Sequence, residues 1–277
     1  VRLSIHDTDL GRWTMYACRP AALGHVVDGM WEVSGTVANA CERIFPSGTI
    51  DIVMNLGPDQ RLVRPGGADV FASGAAWVSG MQQRPFVMES GSEVHVVGVR
   101  LRPVAAAALL SVPMSVASGR IVPLSDLRRD AAAVFANLST LSTFADRVAA
   151  VCRWIEGRCG TNPRCSGYVE WMVRCLERSG GSLAIDPLRR SAGVSRKKAA
   201  ADFHAQVGAT PKALARILRF RRARLLLQQQ PSSVAHVAAA CGYFDQSHMV
   251  RDFRALGDVT PGQFLTDAYP DGESAVV

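Results

Sequence analysis

One short pattern occurs twice near the end of this chain, and no single helix or strand can satisfy it. The first copy is Leu188-x4-Gly193-Val194-Ser195-x3-Ala199-x3-Phe203, closing with Gly208-x-Thr210-Pro211. The second is Val237-x4-Gly242-Tyr243-Phe244-Asp245-x3-Met249-x3-Phe253, closing with Gly257-x2-Thr260-Pro261. In each, a short apolar run at helical spacing stops at a glycine, a polar capping residue follows, and a second helical run begins. That is the layout of a helix-turn-helix, and a pair of them predicts a grip on two neighbouring turns of DNA. The copies are expected at 185–207 and 233–256. Between them Pro211 opens a helix reaching Gln229, with Pro231 past its end. Its 19 residues span roughly 28 Å at about 1.5 Å per residue. Two major grooves on one face of the duplex lie about 34 Å apart, so this helix serves as a rigid spacer.

Charge concentrates on the same region. The chain nets +7, yet residues 186–224 hold eleven basic side chains against Asp186 and Asp202, a local net of +9 that leaves about −2 elsewhere. Such an excess draws a polyanion through phosphate contacts and counterion release. Recognition helices offer their N-terminal residues to base edges. In the second unit these are Gln246, Ser247 and His248, with Arg251 one turn on; Arg grips guanine and Gln adenine through paired hydrogen bonds. Met249 and Phe253 share helical phase with the apolar residues and are expected inside. The first unit offers Ser195 as a cap, then Arg196, Lys197 and Lys198, with Lys212 and Arg219 on the spacer completing the candidate DNA-binding set. Ala199, Ala200 and Ala201 leave this unit short of polar readers. It is therefore expected to favour phosphates, with Arg196 and Lys197 its candidates for base contacts.

The first hundred residues read mostly as β. Residues 50–56 and 94–101 are β-branched runs, and Pro46-Ser47-Gly48, Gly57-Pro58-Asp59 and Pro65-Gly66-Gly67 are turn signals. From Pro103 the period becomes helical. Pro103 opens a helix carrying Val104 to Leu110, Ser125 is expected to cap another to about Asn137, and Thr143 with Asp146 resembles a capping box. Phe144, Val148, Val151 and Ile155 then form one stripe, either core or a subunit contact. Residues 157–166, with Gly160-Thr161-Asn162-Pro163, read as a linker. Residues 167–178 and 261–265 are further helices. The expected fold is an α+β N-terminal domain (small β-barrel or sandwich plus helices) at 1–160, then an all-α domain at 166–270 with two helix-turn-helix motifs joined by a long helix.

No enzyme is expected, because the sequence holds no G-x-S-x-G elbow, Walker loop or dinucleotide fingerprint. The six histidines show no metal-ligand pairing, so neither metal nor cofactor is expected, and His95 in its apolar strand reads as a core histidine with a partner. Seven cysteines (18, 41, 152, 159, 165, 175, 241) are expected as free thiols; the group from 152 to 175 contains no CxxC. No apolar run reaches the roughly 18 residues that span a bilayer, and residues 1–10 lack a secretory layout. A cytoplasmic, nucleoid-associated protein off the membrane is the expectation. Trp13, Tyr16, Trp31, Phe45, Phe71, Trp77 and Phe86 either fill a β core or line an apolar pocket for a small hydrophobic or aromatic effector.

Residues 183–267 resemble the AraC/XylS transcriptional regulators. The resemblance rests on Gly193-x-Ser195, Phe203, Gly208-x-Thr210-Pro211 and Arg219-x3-Ala223-x2-Leu226, then on Val237-Ala238-x3-Gly242-Tyr243-x-Asp245-x-Ser247-x3-Arg251-x-Phe253 and Thr260-Pro261-x2-Phe264. It implies a sequence-specific regulator of transcription with double-stranded DNA and RNA polymerase as partners, and activation as its usual output. The chain departs from the family at Arg189, Ala199 and Ala201, where alanine, leucine and arginine are usual, and by one extra residue before Thr260-Pro261. Ahead of it, Glu42-Arg43-Ile44-Phe45-Pro46-Ser47-Gly48-x2-Asp51-x3-Asn55-Leu56 and His95-x2-Gly98-Val99-Arg100-Leu101-Arg102-Pro103 resemble a sensory-domain type found before this module. That resemblance implies a β-rich domain binding an effector, a partner subunit or both, with helix 144–155 as the surface of a homodimer. Two other readings use the same residues: a low-specificity nucleoid-type protein, and a cysteine-based sensor or repair protein.

Overall fold

The computed structural model describes residues 1–158, 166–229, 233–270 and 272–277. Most of the expected linker, with Cys159, Cys165 and Pro231, lies outside the described residues.

The strands are β1 (Arg2–Thr8), β2 (Gly11–Cys18), β3 (Val27–Val37), β4 (Cys41–Ile44), β5 (Ile50–Asn55), β6 (Gln60–Arg64), β7 (Gly67–Phe71), β8 (Ala76–Ser79), β9 (Phe86–Glu89) and β10 (Glu93–Leu101). Helix α1 (Pro103–Leu110), strand β11 (Ile121–Pro123) and helices α2 (Leu124–Leu127), α3 (Arg129–Ala136) and α4 (Phe144–Glu156) follow. The remaining helices are α5 (Gly167–Arg178), α6 (Ile185–Ser191), α7 (Arg196–Val207), α8 (Pro211–Gln229), α9 (Val234–Ala240), α10 (Gln246–Gly257) and α11 (Pro261–Asp267), before strand β12 (Ser274–Val276).

The strands form two antiparallel sheets, ordered β1-β2-β3-β10-β5-β8-β11 and β12-β4-β9-β6-β7, which face each other as a sandwich. Alternation along each strand decides what each face meets. In β5, Ile50, Ile52 and Met54 are fully buried on the outer face of the larger sheet, as are Val97, Val99 and Leu101 of β10. All but Val97 belong to one core with Leu109, Leu110, Phe135, Val151 and Ile155 of the helices, each such burial contributing about 1.5–3 kcal/mol. The opposite residues, Asp51, Val53, Val96, Gly98 and Arg100, face the smaller sheet. There the buried apolar cluster is only Val53, Leu62, Phe71, Trp77, Met88 and Ile121. The inner face is thinly filled.

Three expectations about the helices after β10 need adjusting. The helix expected from Ser125 to Asn137 is broken at Arg128, which is extended (φ −150°, ψ 99°). Its guanidinium bonds Asp130 at 2.9 Å and the Ser111 hydroxyl at 2.8 Å, and these contacts hold the break. Ser125 therefore sits inside α2 and caps nothing. The stripe on α4 is core, since Phe144, Val151 and Ile155 are buried within the chain. It is not available as a dimer face. Half of the expected capping box forms: the Thr143 hydroxyl accepts from the Asp146 N–H at 3.1 Å, but the Asp146 carboxylate accepts from that hydroxyl at 2.6 Å and not from the Thr143 backbone.

Arg147 fastens α4 to the sheet. Its Nη1 lies 3.0 Å from both oxygens of Glu32 on β3, and its Nη2 donates to the Leu141 carbonyl at 2.6 Å. Glu32 also holds His95 Nε2 at 2.9 Å, which makes His95 a partnered histidine.

Helix α8 is the hub of the C-terminal half, with α5, α7, α9, α10 and α11 packed on it. The loop after β4 enters this half. Phe45 meets Phe220 and Phe264 at ring separations of 6.0 and 5.8 Å, and Phe253 meets Phe220 at 4.9 Å. Ser118 donates to the Gly208 carbonyl at 2.6 Å, where α7 packs on α1 and the turn Met114–Ala117. One apolar core runs through both halves. The C-terminal part is also not purely helical. After α11 the chain returns to the sandwich, where β12 pairs with β4 (Ser274↔Ile44, Ala275↔Arg43, Val276↔Glu42). That edge of β4 offers unpaired backbone groups, and the tail satisfies them.

Candidate nucleic-acid interface

Both turn motifs form as the duplicated pattern requires. Gly193 (φ +67°) and Gly242 (φ +75°) take the left-handed conformation that only glycine adopts cheaply. Ser195 then caps α7 by accepting from the Lys198 N–H at 3.2 Å, and Asp245 caps α10 by accepting from the His248 N–H at 2.6 Å. Each recognition helix thus begins at the surface, with its positive dipole end outward. Phe203 of α7, and Met249 and Phe253 of α10, are fully buried and fix the rotation of these helices on α8.

The candidate residues divide by environment. Ser195, Arg196, Lys197, Lys198 and Lys212 are exposed, as are Gln246, Ser247 and Arg251. His248 is half-buried with its ring edge-on to Tyr243 at 5.2 Å. Arg219 is half-buried as well, its guanidinium 5.5 Å over the Tyr243 ring. Arg196 meets Asp186 (Nε–Oδ1 3.1 Å) and Lys198 meets Asp202 at 2.9 Å. Arg196, then Arg189, hold the Asp186 carboxyl below its ordinary range. Lys197 and Arg251 make no ion pair among the described residues. Arg189, in place of a small residue, donates to the Val194 carbonyl at 2.9 Å and closes the first turn.

Beneath the second unit is a polar knot that the sequence reading missed. Asp252 is 3% exposed and accepts from Arg216 Nε of α8 at 2.6 Å. The Tyr243 phenol is buried beside it, and burial first, then the Asp252 carboxylate, push that phenol up from its ordinary value.

The basic excess is not all available to DNA. Arg224 is 1% exposed, with its guanidinium 4.9 Å from the Phe45 and Phe220 rings, donating to the Pro46 and Gly272 carbonyls. Arg221 donates to the Ser47 carbonyl at 3.0 Å. These arginines join the halves. The sequence did carry a signal, since Arg224 falls in helical phase with Phe220 and Leu227. The motif around residues 42–56 has the same role: Phe45, Pro46 and Ser47 receive α8, and Gly48 leaves room for Leu218.

A cavity of about 300 Å³ lies between the two sheets, with Trp13, Trp31, Trp77, Asp51, Arg100 and Glu273 in its wall. Burial pushes the Asp51 carboxyl up despite Arg100 beside it. Burial acts the same way on Glu273, but Arg100, Arg224 and Arg221 together hold that carboxyl down.

Burial also raises the thiols of Cys18, Cys152 and Cys241, away from the reactive thiolate. Among the described residues no group of three His, Cys, Asp or Glu could hold a metal ion, and no helix is long and apolar enough to cross a membrane.

Residues 188–267 match a family model described as a helix-turn-helix domain, and residues 18–123 match a domain of unknown function, DUF6597. The chain is 34% identical over 80 residues to the HTH-type transcriptional regulator MtrA of Neisseria gonorrhoeae, covering 29% of this chain and 27% of that protein. It is 35% identical over 106 residues to the HTH-type transcriptional regulator GlxA of Rhizobium meliloti (strain 1021), covering 38% and 32%. The matched region thus spans about a third or less of these curated relatives. The fold resembles that of ToxT from Vibrio cholerae, with a TM-score of 0.50 and 10% identity over 91% of this chain and 98% of that one.

Proposed function

We propose that the chain is a sequence-specific DNA-binding regulator of transcription of the AraC family, without enzymatic activity, whose helix-turn-helix domain at residues 188–267 sends helices α7 and α10 into successive major grooves. One observation carries the reading: two separately capped helices, each with exposed polar residues at its N-terminus, are held on a single 19-residue helix. In this reading Gln246, Ser247 and Arg251 read bases. Ser195, Arg196, Lys197, Lys198 and Lys212 hold phosphates, and Arg196 and Lys197 reach base edges where the groove allows. The exposed pairs of Arg196 and Lys198 with aspartates are weak and give way to phosphate. His248 and Arg219 act from behind, packed on Tyr243.

The sandwich acts as the modulating part, with the inter-sheet cavity as the seat of a small apolar effector. It supports this role by sharing one core with the DNA-binding helices. An effector shifts the balance only through differential affinity for two states. Contact with RNA polymerase, activation as output and residence in the cytoplasm complete the proposal.

Footprinting across genomic fragments tests it. Two adjacent turns of about 10.5 base pairs predict a few protected sites of about 17–20 base pairs per monomer. Arg251→Ala should lower discrimination at one base position by about 1–3 kcal/mol, whereas Lys212→Ala, at an exposed phosphate-holding position, weakens all sites evenly. Protection without preferred sites would return the low-specificity nucleoid reading.

A further inference from the structure

Strand register sorts the cavity wall by polarity. Gly98 of β10 is flanked by Trp31 of β3 and Val53 of β5, and Val53 is followed by Trp77 of β8. Two residues along, Arg100 is flanked by Asp51, and Asp51 by Ser79. One band is therefore aromatic and the next polar. Trp31 lies over Gly98 so closely that a Cβ at that position has no room. Arg100 is held by Asp51 (Nε–Oδ1 3.2 Å) and by Glu273 (Nη2–Oε2 3.7 Å).

Part of this wall comes from the segment that follows the DNA-binding helices. Glu273 belongs to the tail after α11. So does Tyr269, which sets its ring edge against Trp13 at 5.8 Å, and Ser274, whose hydroxyl donates to Glu42. The Phe45 N–H fixes the tail's path by donating to the Glu273 carbonyl at 3.0 Å.

Size and charge narrow what fits. About 300 Å³ is twice the ~150 Å³ that holds benzene in an apolar cavity. Two fused rings fill it. The polar band already sets one guanidinium between two carboxylates, and Glu42, the third carboxylate of the wall, is engaged by the Ser274 hydroxyl. A ligand anion would stand beside Asp51 and Glu273, and a cation beside Arg100, and burying such an unmatched charge is costly. A neutral head that both donates and accepts meets both kinds of partner.

We propose that the inter-sheet cavity binds a neutral two-ring aromatic compound with a single donor–acceptor head of the carboxamide type, and that Tyr269 and Glu273 of the tail form part of its wall. The inference rests on the reading of the sandwich as the modulating part. Because the tail continues directly from α11, and α11 packs on α8, occupancy of the cavity bears on the DNA-binding helices.

Calorimetric titration of the full chain with indole-3-carboxamide, indole-3-carboxylate and indol-3-ylmethylammonium tests the class. The carboxamide is expected to bind one per chain, and the charged analogues about tenfold more weakly or worse. Glu273→Gln, which keeps side-chain shape, and Tyr269→Leu should each weaken the carboxamide about fivefold, the effect of one lost contact. Near-UV circular dichroism certifies the fold; should Tyr269→Leu not fold, Glu273→Gln decides. No binding by any of the three probes, equal binding of all three, or full affinity in a folded Glu273→Gln protein would overturn the proposal. Carboxamide binding with unchanged operator affinity would keep the site and refute the modulating reading instead.

Discussion

Removing the Asp252 carboxylate should loosen the second recognition helix without touching any residue that faces DNA. Asp252→Ala removes the acceptor for Arg216 and the polar neighbour of the Tyr243 phenol. Hydrogen bonds to charged groups contribute about 1.5–3 kcal/mol, and a buried group left without a partner costs about 1–3 kcal/mol. Arg216 is 39% exposed, so water recovers part of the first figure. The buried Tyr243 phenol makes no hydrogen bond among the described residues of the intact protein, so the second figure applies only in part, through the polar surroundings that the carboxylate gives it. A net loss of about 2 kcal/mol is expected, with Asp252→Asn nearer 1 kcal/mol because its carbonyl still accepts. Hydrogen exchange on the full chain reads this locally: α10 amides should lose about thirtyfold in protection, the equivalent of about 2 kcal/mol. In a double-mutant cycle with Tyr243→Phe the effects should fall short of additivity by about 0.5 kcal/mol or more. Unchanged α10 protection in Asp252→Ala, or strict additivity, would refute the knot as the device that seats this helix.

Arg147→Met should destabilise the fold by about 3–5 kcal/mol, because it leaves Glu32 charged and buried, and adding Glu32→Gln should recover part of the shift in urea midpoint. The Tyr168 hydroxyl, then Lys198, hold the Asp202 carboxyl below its ordinary value. A folded-state pKa depressed in this way contributes stability that is present above the unfolded value of about 3.9 and is lost as pH falls through the folded value. Acid titration of thermal stability should show that loss, and Tyr168→Phe should flatten it. Lys197→Ala should reduce the salt slope of DNA binding by about 0.9, while Arg221→Ala, which removes a bond to the Ser47 carbonyl, should leave that slope unchanged.

How much was legible in the sequence follows from how local each determinant is. The two turns, the caps at Ser195 and Asp245, and the span of α8 are fixed by residues within a few positions of one another, and they were readable. The same holds for Pro103 opening α1 and for the β-branched runs that become β5 and β10. Arg128 was not readable as a helix break, since its partners include Ser111 in a separate segment. Charge alone misplaced Arg221 and Arg224, because a basic side chain on a helix serves carbonyls of a distant loop as readily as phosphates. The course of the tail escaped because its pairing with β4 joins residues far apart in sequence, and Ser274–Val276 is too short to announce a strand.

The ring cluster that Phe45 shares with Phe220, Phe253 and Phe264 constrains anyone who would recombine this molecule. A chimera cut at the linker would carry away one aromatic from that set and leave a sticky hole on the fragment meant to dock on an operator. Grafting the reader onto a foreign sensor therefore requires moving the 45–48 loop and the final ten residues along with it. A modular swap at the obvious seam should yield aggregates.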